Sequence, residues 1–141
     1  MTNTPPRVLV IDPDLDAIEL ARFALWRSGL PCTFQWFDDA ALANASLLTQ
    51  ALCHSRELPS LIMLDPRGFA GSEGYELLRT LCGYQILAEI PLVLFTSAPL
   101  SSDFRADQDS RIWYASKDQD PLLYMETLSR CVQARLAESV L

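Results

Sequence analysis

Short apolar runs alternate along this chain with longer stretches in which apolar residues recur at helical spacing. Val8-Leu9-Val10-Ile11 is the first run and ends at Asp12. The spacing then predicts a helix over 14–28, with Leu15, Ile18, Arg22 and Leu25 on one face and Gly29 as its stop. A second strand is expected over 32–37, followed by a helix that Asp38 or Asp39 can cap and that runs to about residue 54. Leu61-Ile62-Met63-Leu64 reads as a third strand ending at Asp65, and a loop holding Gly68, Gly71 and Gly74 follows. A helix opens at Tyr75. The fourth strand covers 90–95 and leads to Thr96-Ser97. Residues 99–110 are polar and weakly periodic and predict a short helix. Ile112-Trp113-Tyr114-Ala115 is a fifth strand leading to Lys117. The last helix is expected over 121–137, its inward stripe made by Leu122, Met125, Leu128 or Ser129, Val132 and Leu136.

Five strands alternating with helices give a (βα)₅ arrangement, an α/β fold around a parallel sheet. Strands with nearly all-apolar centres imply a sheet covered on both faces. The side chains that matter chemically then lie outside the carboxyl ends of the strands.

Composition narrows the class. The chain has 141 residues, half of them hydrophobic, enough for one core of ordinary domain size over about 7–138. No apolar run reaches the roughly 18 residues of a membrane span, and the N-terminus has no signal-peptide core. A net charge of −7 argues against a nucleic-acid surface and leaves protein partners. The four cysteines, Cys32, Cys53, Cys82 and Cys131, show no CxxC pairing and are expected to be buried and reduced, as in a cytoplasmic protein. Cys53 and His54 are adjacent, which is not metal-ligand spacing.

Asp12, Asp65, Thr96 and Lys117 each follow an apolar strand within two residues. In a parallel sheet they share one rim. Carboxylates gathered there suit Mg²⁺, which takes oxygen ligands and keeps several waters. A carboxylate beside such an ion can attack a phosphoryl group, with a hydroxyl and an ammonium stabilising the phosphoryl oxygens. Lys117 is the sole lysine beside ten arginines, and its compact charge is not copied by arginine. Bland roles compete: Asp12 as a loop carboxylate, Asp14 and Asp16 as first-turn residues favoured by the helix dipole, Tyr114 as a half-buried packing residue. Trp113 should face the opposite side of the sheet from Tyr114.

The segments VLVIDPD, LIMLD, GYELLR, IPLVLFTSA and YASK stand in the order and near the spacings of one family. With them the chain resembles a response-regulator receiver domain of two-component signalling from end to end. The resemblance implies a flavodoxin-like doubly wound sheet of strand order 2-1-3-4-5. It implies Asp65 as phosphoacceptor, Asp12 in the metal-binding acidic pair, Thr96 as switch hydroxyl, Lys117 as phosphoryl-contacting lysine and Tyr114 as switch aromatic. The backbone of Arg67 would give a carbonyl to the metal and an N–H to the phosphoryl group. Mg²⁺ would be the cofactor. A histidine kinase or histidine phosphotransfer protein would be the donor, and a downstream target protein would read the state. No output domain is expected after the last helix, and a homodimer through the fourth and fifth elements is a common family arrangement.

The chain departs from that pattern. Pro13 stands where the second acid is expected, which weakens Mg²⁺ binding, and Asp14 is the candidate replacement. Asp118 replaces the proline after the lysine, Pro66 follows the phosphoacceptor position, and the loop from Asp65 to Gly74 is one residue longer than is common in the family. These departures support an alternative: a pseudo-receiver that binds proteins without phosphorylation. A more distant alternative is a haloacid-dehalogenase-type phosphatase opening on Asp12-Pro13-Asp14. That reading lacks a later acidic pair and leaves Asp65 unexplained. On either signalling reading the chain is not an enzyme in the ordinary sense.

Overall fold

A computed structural model describes residues 5–29, 31–96 and 111–116 and, in a last helix, positions 122, 125, 126, 129, 130, 133 and 134. The strands are β1 (Arg7–Ile11), β2 (Thr33–Phe37), β3 (Leu61–Leu64), β4 (Leu92–Thr96) and β5 (Ile112–Ser116). Between them lie α1 (Leu15–Ser28), α2 (Ala40–Cys53), a 3₁₀ turn (Ser55–Glu57), α3 (Glu73–Gly83) and the single helical turn α4 (Gln85–Ala88). All strand pairs are parallel, and the order is β2-β1-β3-β4-β5. This is the expected doubly wound sheet. The 3₁₀ turn and α4 are too short to leave a periodic signal and were not predicted. Residues 99–110 and Lys117 lie outside the described residues.

Alternation along the strands sorts the core into two layers. Val8, Val10, Leu61, Met63, Val93 and Phe95 face α1 and the last helix. Leu9, Ile11, Ile62, Leu64, Leu92, Leu94 and Ile112 face α2 and α3. Trp113 joins the first layer and Ile112 the second, so Trp113 does lie on the face opposite its neighbours in β5.

Caps set the helix ends. Asp14 accepts the N–H of Asp16 and Asp39 that of Leu42, satisfying first-turn donors of α1 and α2. Gly29 closes α1 at φ 73°, the left-handed conformation a β-carbon disfavours. The buried face of α1 is Ala17, Ile18, Ala21, Ala24 and Leu25. Leu15 and Arg22 are exposed, against expectation, because the buried stripe runs through the three alanines with Ile18 and Leu25 and leaves both residues outside it. In the last helix Met125 is buried, whereas Leu122, one turn earlier, is exposed. Ser129 donates its hydroxyl to the Ala24 carbonyl, tying that helix to α1. Leu128, Val132 and Leu136 lie outside the described residues.

The cysteines also differ from expectation. Cys53 and Cys82 are exposed, because they fall on the outward sides of the last turns of α2 and α3. Cys32 is half-buried, and desolvation pushes its thiol pKa up. Cys131 lies outside the described residues. No helix among the described residues is long and apolar enough to cross a membrane.

Candidate functional site

Register alone brings two carboxylates together. Ile11 pairs with Leu64, so the next residues, Asp12 and Asp65, leave adjacent strands side by side. The Asp12 N–H donates to Phe37 O and the Asp65 N–H to Ile11 O, which extends the ladder to both aspartates. They are 3% and 6% exposed, the only charged side chains buried among the described residues. Charged groups are almost never so buried without compensation. Both close a small depression floored by Val10, Met63 and Phe95 and walled by Ala17 and Ala21 of α1. Small residues on that helix face are what leave room for it.

The loops hold the carboxylates by backbone amides. Asp12 Oδ1 accepts the Asp14 N–H at 2.9 Å. Asp65 Oδ1 accepts the N–H groups of Arg67 at 3.1 Å and Gly68 at 3.0 Å. These are Asx turns, in which an aspartate folds the chain back onto its own side chain. The Arg67 amide thus already points at the carboxylate expected to carry a phosphoryl group. Gly68 leaves space beside the other oxygen: a β-carbon there would stand 2.7 Å from Asp65 Oδ2 and 3.0 Å from Cγ and Cδ of Pro13. Gly74 positions the loop from its far end. A β-carbon on it would collide with the Pro66 carbonyl oxygen, so only glycine lets α3 start against this loop.

The other expected residues are placed unevenly. Leu94 pairs with Leu64 and with Tyr114, and Thr96 pairs with Ser116. The Thr96 backbone therefore ends β4 one residue beyond the row of Asp12 and Asp65. Tyr114 is 47% exposed on edge strand β5. Asp14 is exposed, and its Oδ1 accepts the Asp16 N–H at 2.9 Å. Its carboxylate thus serves the start of α1. Pro13 is exposed beside Gly68 and contributes ring carbons where an acid was expected.

Among the described residues no group of three or more His, Cys, Asp or Glu side chains could hold a metal ion. Two buried carboxylates nevertheless fit a largely hydrated Mg²⁺, which is commonly held by one or two carboxylates together with waters and phosphate oxygens. The donor chemistry is oxygen throughout, which does not suit zinc or copper. Sequence reasoning missed Gly68 as the residue whose missing β-carbon leaves space beside Asp65 Oδ2; the run of loop glycines was its one signal.

No family model and no curated protein matches the sequence. Solved structures do match. The phosphorylated cyanobacterial phytochrome response regulator RcpA superposes with a TM-score of 0.78 at 20% identity, over 96% of each chain. The Mn²⁺-bound response regulator Rcp1 gives 0.76 at 21% identity, over 92% of this chain and 93% of that one. The Vibrio cholerae chemotaxis protein CheY4 gives 0.64 at 16% identity, over 90% and 98%. Sheet order and these superpositions agree: the chain has the fold of response-regulator receiver domains.

Proposed function

We propose that this chain is the phosphoacceptor of a two-component phosphorelay, with Asp65 as the acceptor. The observation that carries the proposal is the buried pair of Asp12 and Asp65 on adjacent strand ends, with two backbone amides on Asp65 Oδ1. Those amides orient the carboxylate so that Oδ2 lies toward the gap between Pro13 and Gly68. Asp65 Oδ2 attacks the phosphorus of a phosphohistidine on a kinase or phosphotransfer protein. The new P–O bond forms as the P–N bond breaks, and the imidazole leaves with the electron pair and takes up a proton. Asp65 becomes an acyl phosphate. Asp12 and Asp65 would hold the Mg²⁺, with the Arg67 carbonyl as a further oxygen donor, and that ion would neutralise charge on the phosphoryl oxygens. Lys117 and Thr96 are assigned the remaining phosphoryl oxygens.

Phosphorylation would act as a population shift in the segment bearing Thr96 and Tyr114, read by a separate target protein. The phosphorylated form of RcpA and the Mn²⁺-bound form of Rcp1 support the reading by likeness of fold.

One observation favours a second reading. Pro13 supplies no carboxylate, and Asp14 caps α1. A pseudo-receiver would keep the fold and bind its target without phosphorylation. Incubation with Mg²⁺ and acetyl phosphate, followed by intact mass measurement, separates the two. One added phosphoryl group, lost in Asp65→Asn, is the expected result. A folded protein that takes up none would leave the pseudo-receiver.

A further inference from the structure

The outward face of α1 carries apolar side chains where an exposed helix usually carries charge. Leu15 is 54% exposed, Phe23 47% and Trp26 76%. The rings of Phe23 and Trp26 lie 5.6 Å apart, centroid to centroid. An open groove runs along this face, bordered by Asp16, Glu19, Leu20 and Arg22 as well as the two aromatics. Trp36 of edge strand β2 is also exposed, on the side of the sheet that α1 covers, since it pairs with Val10. Contiguous exposed apolar surface of this kind marks an interaction site.

The charges on that face select the occupant. Glu19 and Arg22 form an exposed pair at 3.4 Å, and Arg22 is further held 5.2 Å from the ring centre of Phe34. Leu15, Glu19, Arg22 and Trp26 recur at i, i+4, i+7 and i+11, which places them in one stripe. That stripe is self-complementary. A two-fold axis crossing α1 midway between residues 20 and 21 carries position 15 onto 26 and position 19 onto 22. An antiparallel second copy therefore brings Leu15 onto the aromatic Trp26 and Glu19 onto Arg22, twice over. Moving the axis to residue 19 or 22 would instead set like charges against each other. We infer that α1 is the interface of an isologous homodimer, its copies antiparallel about this axis. The contacts run from residue 15 to residue 26, eleven steps or roughly 16 Å of helix.

One helix face is well short of the ~800 Å² per partner of a standard interface, and exposed ion pairs add little. The dimer is accordingly weak and reversible, populating between roughly 10 µM and 1 mM. Sedimentation equilibrium of the full chain over that range is the test. The native chain is expected to pass from monomer toward dimer. Glu19→Arg and Arg22→Glu should each weaken association about tenfold or more, since each change acts twice, and the double variant should recover native association. Trp26→Glu should remove it while the circular dichroism spectrum stays native. A monomer at every concentration would overturn the inference and leave the face to a different protein. Association that survives Trp26→Glu, or a double variant that fails to recover, would overturn it equally.

Discussion

Pro13 and Gly68 meet beside the Asp65 carboxylate, so closely that a β-carbon on Gly68 would stand 3.0 Å from two ring carbons of Pro13 and 2.7 Å from Asp65 Oδ2. On the proposed function, the bare glycine leaves the space through which a phosphoryl donor would reach that oxygen. Gly68→Ala is expected to cost about 1 kcal/mol, because the proline ring and carboxylate must give by a few tenths of an ångström. Its larger effect should be kinetic, with labelling by acetyl phosphate slowed about tenfold or more, the equivalent of about 1.4 kcal/mol in the barrier. Labelling at the native rate would show that access does not run past residue 68.

Replacing the proline itself tests the metal site. Pro13→Asp adds a carboxylate next to Asp12 on the loop that faces Gly68 and Asp65. Calorimetric titration with Mg²⁺ or Mn²⁺ should show at least about tenfold tighter binding, a conservative figure for one more charge near a divalent cation. The same variant should be less stable without metal, since a third carboxylate then repels the buried pair. Unchanged affinity would mean that position 13 does not reach the ion.

How much of this was legible in the sequence depends on the scale of the signal. Strand runs such as Val8–Ile11 and Leu61–Leu64 are apolar at every position because the sheet is covered on both faces, and that pattern fixed the strands and their terminal aspartates. The side of α1 that turns inward was misread at Leu15 and Arg22. Three of the five residues on that face are alanines, and small residues give a weak hydrophobic signal although they govern how closely a helix sits. The juxtaposition of Pro13 and Gly68 joins residues 55 positions apart in sequence, and only the β1–β3 register brings them together. The cap formed by Asp14 was readable from its place ahead of an apolar stretch; that this directs its carboxylate to the Asp16 amide required the geometry.

That cap yields a separate prediction. Asp14→Ala removes the acceptor for the Asp16 N–H and a negative charge at the start of α1, and should destabilise the chain by about 1 kcal/mol. Mg²⁺ affinity should change by less than about twofold, as expected for an exposed charge screened by solvent. Thermal unfolding and the same calorimetric titration check both parts. A loss of metal binding as large as that of Asp12→Asn would make Asp14 the replacement for the acid missing at Pro13.

Arg111 offers a prediction away from the site. It directly precedes β5, and its guanidinium gathers the end of α3 and the α4 turn. One nitrogen donates to Ile90 O at 2.7 Å and Leu87 O at 3.4 Å, the other to Leu81 O at 3.1 Å. Leu81 O lies in the last turn of α3, where carbonyls lack intrahelical partners, whereas Leu87 O also accepts the Ile90 N–H. A planar fork can serve three oxygens at fixed angles, and a lysine ammonium on a flexible stem cannot. Arg111→Ala should therefore cost about 2 kcal/mol and lower Tm by roughly 8 °C. Arg111→Lys should recover less than half of that. Arg111 precedes the first residue of β5, the end of the sheet away from Asp12 and Asp65, so labelling of Asp65 in either folded variant should stay within about twofold of native. Circular dichroism melts alongside acetyl phosphate labelling decide the matter. A lysine variant as stable as the native chain would show that charge alone, without the fork, holds α3, α4 and β5 together.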